Sequence, residues 1–418
     1  MRKAQTDVLV VGAGPVGIWT ALLLAEAGLD VTIIDREERT TARTYACALH
    51  PRTLTLMERV GLDGPAVERG RRIQTVAFYD GATRRAVLDV SKTGGQFPFL
   101  LILPQHVLES LLEERLAQAG VRVKWNHRFD ALKEEADGVV ATIEELAGTS
   151  TGYIVPHWET VVKDRFAMNA RFVIGADGHG SLVRQRAGFE YQRVGEPLTF
   201  TACEFESTSS GDAEIRVVLD DTTTNVLWPL LDKKFRWTFQ IERSGTPTAL
   251  PEKERHAVRL EQAHVDGRVR QYVEEVGRQR APWFSAPVSH ITWCSEVGFE
   301  HRLAKPFGRN RCWLAGDAAH QTGPVGVHSM NVGFSEGASL AETIRRILRE
   351  AAPVNTLEAY NREQQAEWQR LLGLTGSLQA GNGTSAWIQD RRARILGCLP
   401  ASGEDLAPLA RQLGLNLA

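Results

Sequence analysis

The sequence predicts an α/β fold: a parallel-sheet domain discontinuous along the chain, an inserted antiparallel β-sheet, and C-terminal helices. Three observations predict it. The chain opens as strand, glycine-rich turn, helix and strand, the texture of a βαβ unit. From Tyr191 to about Thr292 this gives way to short alternating segments, as in an antiparallel sheet with one wet face. The first texture then returns at "RCWLAGDAAH", and after Ala338 the chain is largely helical. One domain is therefore expected from 1–72, 100–190 and 294–345, a sheet domain from 73–99 and 191–293, and a helical segment over 346–418.

The elements follow in order. "DVLVVGAG" is a continuous apolar run, as in a parallel strand buried on both faces. "PVGIWTALLLAEAG" reads as a helix, with Pro15 in its first turn and Gly28 as its stop. "DVTIID" is the second strand, and "PRTLTLMERVG" a helix ending at Gly61. "PQHVLESLLEERLAQAG" is bounded by proline and glycine in the same way, and "VRVKWNHRF" and "ARFVIGADG" read as strands. "TFTACEFE", "EIRVVLD", "NVLWPLL" and "FRWTFQI" supply the inserted sheet, followed by helices around 252–263 and 268–279. "ASLAETIRRILREA", "NTLEAYNREQQAEWQRLL" and the stretch around "RRARILGCL" are the last helices.

Composition narrows the function. The 418 residues carry 49 Lys+Arg and 51 Asp+Glu, a net charge of -2, so nothing attracts nucleic acid or acidic membranes. No apolar run reaches the length of a membrane helix. The 5 cysteines are scattered and odd in number; they read as reduced thiols of a cytoplasmic protein, not as disulfides or a zinc site. No metal site is expected: His320 and His328 stand eight apart across a Gly/Pro loop, without a Cys or carboxylate cluster.

Gly12-Ala13-Gly14-Pro15-Val16-Gly17 is G-x-G-x-x-G between a strand and a helix, the context that makes this pattern informative. Gly12 permits the tight turn, Gly14 lets a pyrophosphate approach the backbone, and Gly17 lets helix and strand pack closely. The helix N-terminus adds free N–H groups and partial positive charge. Asp35, at the end of the second strand, is placed to accept hydrogen bonds from an adenosine ribose, which argues for FAD or NAD and against NADP at this site. Arg36 faces either solvent or the adenine.

Two further stretches identify the dinucleotide. "FVIGADGHGSLVRQRAG" (residues 172–188) and "CWLAGDAAHQTGPVGVHSMNVG" (312–333) resemble the Asp-Gly and Gly-Asp signatures of the single-component, FAD-dependent aromatic hydroxylases, the p-hydroxybenzoate hydroxylase-like family. Order and spacing of all three signatures agree over nearly the whole chain. The resemblance implies a Rossmann-like FAD-binding domain, with Arg43 and Gln105 approaching FAD and Asp177 helping to close its site. Ser181 and Arg184 follow the family pattern. The residues of the third signature support this reading. Gly316-Asp317 ends a strand where a carboxylate can accept from ribityl or ribose hydroxyls. Pro324 and Gly326, with Gly323 and Val325, give a surface for a flat ring. Backbone N–H groups near Ser329, Met330 and Asn331, at the start of a helix, can bond the flavin carbonyl and stabilise anionic reduced flavin. Ser329 stands where the family commonly has glycine.

The resemblance also implies the reaction: NADPH or NADH reduces a non-covalent FAD, dioxygen gives a flavin C4a-hydroperoxide, and one oxygen passes to a phenolic or polycyclic, polyketide-like aromatic. Few obligatory acids or bases are expected. Tyr79, His290 and His328 are candidates, and none is compelling. Phe97, Phe99, Leu101, Trp228, Trp237 and Phe239, with Pro324, are expected to line an aromatic pocket between sheet and flavin. Monomer and homodimer stay open. A prenyl-lipid reductase, a halogenase and an inactive FAD-holding scaffold are the alternatives; the W-x-W-x-I-P stretch of halogenases is absent.

Overall fold

The structure is a computed structural model that describes residues 3–39, 48–151, 157–208, 213–241 and 266–417. Its central sheet runs in the order Gly308–Arg309, Cys312–Leu314, His157–Gly175, Lys3–Val11, Val31–Ile34. The last four pair in parallel, with Val11 opposite Gly175 and Ile34, and Gly175 opposite Leu314. Their carboxyl ends therefore deliver Gly12, Asp35, Ala176 and Gly316 to one edge, where ligands of open α/β sheets bind. The apolar run Val8–Leu9–Val10 is fully buried, as expected of a strand covered on both faces. Helix Pro15–Glu26 covers it, and its Val16 and Thr20 meet Gly333 and Gly337 of helix His328–Arg349, whose missing side chains allow the close approach.

Strand Gly138–Thr151 pairs antiparallel with His157–Ala170, and His127–Glu135 pairs antiparallel with Gly138–Thr151, extending the sheet. "VRVKWNHRF" is thus a strand only from His127; before it, Lys124 makes a single bridge to Ile34. The helix expected around 252–263 lies outside the described residues, and the next one is Asp266–Arg280.

The second large sheet has 7 strands, ordered Ser289–Phe299, Leu198–Glu206, Lys234–Ile241, Thr224–Pro229, Glu214–Leu219, Thr75–Asp80, Thr83–Asp89. It is antiparallel except where Glu214–Leu219 runs parallel to Thr75–Asp80, a pairing that joins segments far apart in the chain. One face packs on Asp266–Arg280 through Phe205, Leu227, Phe235, Trp237, Phe239, Val269 and Val273. The other, with Phe200, Val217, Val226 and Trp228, joins the core of the first domain.

The cysteine expectation fails here. The register of Leu198–Glu206 and Ser289–Phe299 sets Cys203 directly opposite Cys294, and the two form a disulfide. Their separation of 91 residues conceals this pairing until the register is known. Cys312 and Cys398 are free and buried; Cys47 lies outside the described residues. No helix among the described residues is long and apolar enough to cross a membrane.

Candidate functional site

The glycine turn has the geometry its spacing implies. Gly12 adopts φ +102°, and a Cβ there would overlap the Ala176 carbonyl oxygen; a Cβ on Gly17 would overlap Gly12 O. Gly14 is different: nothing lies within 4 Å of where its Cβ would be, so its backbone is open to a ligand. Gly14 also caps helix Pro15–Glu26 without a side-chain hydrogen bond, leaving the first N–H groups for an anion. Asp35 braces the turn: its Oδ2 accepts from Ala13 N at 2.6 Å and its Oδ1 from Glu37 N at 2.9 Å.

Two cavities meet above this turn. One, of about 220 Å³, is lined by Gly12, Asp35, Arg36, Gln105, Glu109 and Asp177 among others. The other, of about 280 Å³, is lined by Pro15, Val16, Gly316, Asp317, Pro324, Ser329 and Met330, together with Phe299, Gln321 and Thr322. Gly14, Gln105, Ala176 and Gly178 belong to both. The result is one elongated trough. Half of it lies on the phosphate-type turn and half on the small-residue surface of 316–330, the shape an extended dinucleotide requires.

Two aspartates hold the trough's walls. Asp177 Oδ1 accepts from Ser181 Oγ at 2.5 Å, and its Oδ2 from the N–H groups of Leu182 and Val183, which caps helix Leu182–Arg186. Arg184 donates to Ala318 O and His179 O, both at 2.7 Å, tying the Asp-Gly segment to the Gly-Asp segment. Asp317 is solvent-accessible where it lines the cavity, yet the protein packed around it raises its pKa; the nearby His320 and His179 and a hydrogen bond from Ser329 counter this. Ser329 thus turns its hydroxyl to the carboxylate that faces the cavity. Beneath lies a buried network: Glu336, fully buried, accepts from Gly316 N, His320 Nε2 and Trp368 Nε1 at 2.8, 3.0 and 2.8 Å. His320 stacks on Trp368 at 3.9 Å between centroids, so it is packing beneath the site and not a group in contact with a ligand.

The loop before helix His328–Arg349 is held from behind. Val327 adopts φ +52°, a left-handed conformation costly for a β-branched residue, and Asn331 Nδ2 donates to its carbonyl at 2.8 Å. The same amide bonds Ala48 O, while Asn331 Oδ1 accepts from His50 N and Thr53 Oγ1. The Asn331 side chain is therefore spent inside the protein. Gly326 likewise turns away from the cavity: a Cβ there would run into His328 and the Gly397 carbonyl, and its own carbonyl lies 2.9 Å from His50 Nε2. His328 lines the cavity while its Nε2 donates to Leu399 O at 2.7 Å. Burial pushes the His50 and His328 pKa values down to about 3 and about 4, so both rings are neutral.

Of the residues expected to line an aromatic pocket, Pro324 borders the second cavity and the aromatic side chains line neither of the two. Trp237 and Phe239 point to helix Asp266–Arg280, away from the trough. Phe97, Phe99, Leu101 and Trp228 are buried in the main core and line neither cavity. The reason is strand alternation, which sends Phe235, Trp237 and Phe239 to one face and Arg236, Thr238 and Gln240 to the other. Tyr79 sits on the helix side, its ring tilted against Trp283 and its hydroxyl 3.3 Å from Glu214 Oε1. His290 is exposed at a strand end. Neither reaches the trough. Arg43 lies outside the described residues.

What the sequence reading missed is the sheet face that does meet the cavity. Phe299 lines it, and cross-strand partners share a face, so Leu198, Val297, Phe200, Ser295, Ala202 and Thr238 belong to the same side. On that face Arg236 and Glu204 form a buried ion pair, and Ser295 Oγ is buried without a hydrogen-bond partner.

The chain matches the family model described as FAD binding domain over residues 5–375. It is 28% identical over 371 residues to an uncharacterized aromatic compound monooxygenase, YhjG, of Bacillus subtilis (strain 168), covering 88% of this chain and 66% of that protein. It is 26% identical over 421 residues to the para-nitrophenol 4-monooxygenase of Pseudomonas sp. (strain WBC-3), covering 98% and 94%. The crystal structure of p-nitrophenol 4-monooxygenase from Pseudomonas putida DLL-E4 superposes with a TM-score of 0.73 at 22% identity, over 99% of this chain and 93% of that one. The chain thus spans about two thirds of the Bacillus relative and nearly all of the para-nitrophenol enzyme.

Proposed function

Because the chain belongs to the FAD binding domain family, we propose that it is an FAD-dependent monooxygenase. In this reading it uses NADH or NADPH and dioxygen to insert one oxygen atom into a phenolic or polycyclic aromatic substrate. The observation that carries the cofactor assignment is the continuous trough: an open Gly14 backbone and an uncapped helix N-terminus at one end, and the small-residue wall with Asp317 at the other. The aromatic monooxygenases it resembles carry the reaction class.

The residues present fit FAD. The turn Gly12–Gly17 would hold the diphosphate, Asp35 the adenosine ribose, Asp317 the hydroxyls of the ribityl chain, and Pro324 with the N–H groups of 328–330 the ring. When bound, FAD supplies the redox chemistry and the activation of dioxygen. The chain's own part is positioning and exclusion of water. His50 and Asn331 fix the turn at Gly326–Val327, so the wall beside the ring is rigid. Gln321, Thr322 and Phe299 border the side left for substrate, and Phe299 with Phe200, ring centroids 5.7 Å apart, offers it an apolar contact. His328, neutral and bonded to Leu399, is a wall residue and supplies no proton at neutral pH.

The test is direct. The purified full chain is expected to be yellow with releasable FAD. A panel of phenols and polycyclic phenols is then screened for faster NAD(P)H oxidation and, by mass spectrometry, for a product with one added oxygen. A halogenated product, a saturated isoprenoid product, or a protein that holds no flavin refutes the proposal.

A further inference from the structure

Glu109 plays no part in the reading above, yet it lines the first cavity together with Gly12, Gly14 and Asp35. It lies one turn after Gln105 in helix Gln105–Gln118 and is 2% exposed. Its Oε1 accepts from Gln105 Nε2 at 2.8 Å. Its Oε2 is buried and has no hydrogen-bond partner among the described residues. A buried carboxyl oxygen left without a partner in a native site calls for an explanation, because each such group costs about 1–3 kcal/mol.

The charges around it favour its neutral form. On its own helix Glu113 opposes ionisation, and so does Asp35 from the end of strand Val31–Ile34. The cavity's other charged walls are Arg36, Glu37, Arg39, Arg128 and Asp177, with His127 as a further titratable group. Arg36 is engaged with Glu37 and Arg128 with Glu144, and among the described residues no cation pairs with Glu109. Burial and the two acids push its pKa up to about 7. A dinucleotide on the glycine turn then brings two phosphate charges into the same cavity. An ionised Glu109 would face them uncompensated, whereas the neutral acid has a hydroxyl to offer.

We propose that Glu109 is a cofactor-binding residue that carries a proton in the loaded protein and donates it, through Oε2, to a diphosphate oxygen of FAD. This rests on the FAD assignment. The balance is simple: apoprotein with ionised Glu109, one proton from solvent and FAD give the complex with Glu109 neutral. The Gln105 amide keeps donating to Oε1, so the acid proton sits on Oε2.

Apoprotein from the full chain is titrated with FAD by flavin fluorescence quenching across the range about pH 6 to about pH 9. The Kd of the wild type is expected to rise by up to about tenfold per pH unit above about pH 7. Glu109→Gln, whose amide also donates but does not titrate, is expected to keep the low-pH affinity within a few-fold and to flatten the profile. Calorimetry of the wild type in two buffers of different ionisation enthalpy is expected to find net proton uptake above neutral pH, a readout independent of the variant's folding. A flat wild-type profile, no proton uptake, or an unchanged slope in Glu109→Gln overturns the role of Glu109 while FAD binding stands. Failure of the wild type to bind FAD at any pH overturns the cofactor assignment itself.

Discussion

The buried pair His50 and His328 makes stability fall in acid, and His328→Gln isolates its share. In the fold the His328 pKa is pushed down to about 4 by burial; in the unfolded chain it returns to about 6.5. Between those values the unfolded chain binds the proton and the folded chain does not, so stability is complete above the unfolded pKa and falls as pH drops. From about pH 7.5 to about pH 5 the loss is about 2 kcal/mol for one such histidine. His50, pushed to about 3 by burial and by the neighbouring His328, contributes a similar loss. No discount for solvent screening applies, since the two rings are 2% and 1% exposed. Asp317 and Glu109, whose pKa values are raised, act in the opposite direction, so the total slope of the wild type is not diagnostic. The difference between proteins is. Gln at 328 can still donate to the Leu399 carbonyl but cannot take up a proton. Guanidinium unfolding of both apoproteins at the two pH values is therefore expected to show a wild-type acid loss larger by about 2 kcal/mol. Equal losses in the two proteins would refute the assignment of a buried neutral imidazole at 328.

Three further expectations follow from the same contacts. Asp317→Ala removes the carboxylate from the flavin half of the trough; FAD Kd, read by fluorescence, is expected to weaken at least about tenfold, the equivalent of about 1.4 kcal/mol, and unchanged FAD content would refute its role. Ser329→Gly deletes the hydroxyl that bonds Asp317, and the loss of one such bond, about 0.5–1.5 kcal/mol, is expected to weaken FAD binding by roughly two- to tenfold in the same titration. Trp237→Ala, on the helix side of the sheet, is expected to cost about 3–5 kcal/mol in denaturant unfolding while leaving substrate KM of the folded enzyme unchanged; a selective rise in KM would return Trp237 to the substrate pocket.

The parts legible in the sequence are those where backbone geometry dictates a letter. Gly12 needs a positive φ, and Gly17 stands where any side chain would strike the turn, so the dinucleotide loop is written in the chain itself. Asp35 directly follows strand Val31–Ile34 and Asp317 lies in the turn after Cys312–Leu314, which places both at the ligand edge as soon as the strands are recognised as parallel. The aromatic residues were misplaced because parity along a strand tells which residues share a face, not which face meets the site. That choice depends on helix Asp266–Arg280, which claims the odd-numbered side of Lys234–Ile241. Cys203 and Cys294 hid behind 91 residues. Glu109 left a faint trace: it follows Gln105 by four and precedes Leu112 by three, a charge on the helix face that is otherwise buried.

The two-faced strand Lys234–Ile241 has a consequence for how such a chain changes. Its odd positions, Phe235, Trp237 and Phe239, lock the sheet to a helix and tolerate little. Its even positions share a side with Ala202, Ser295 and Phe299, the last of which borders the second cavity. The face turned to the first domain and the face under helix Asp266–Arg280 are therefore carried by interleaved letters of one stretch of chain. Changes at Ala202, Thr238 and Ser295 alter the face turned to the first domain. The same number of changes shifted by one residue along each strand strikes the packing under the helix instead.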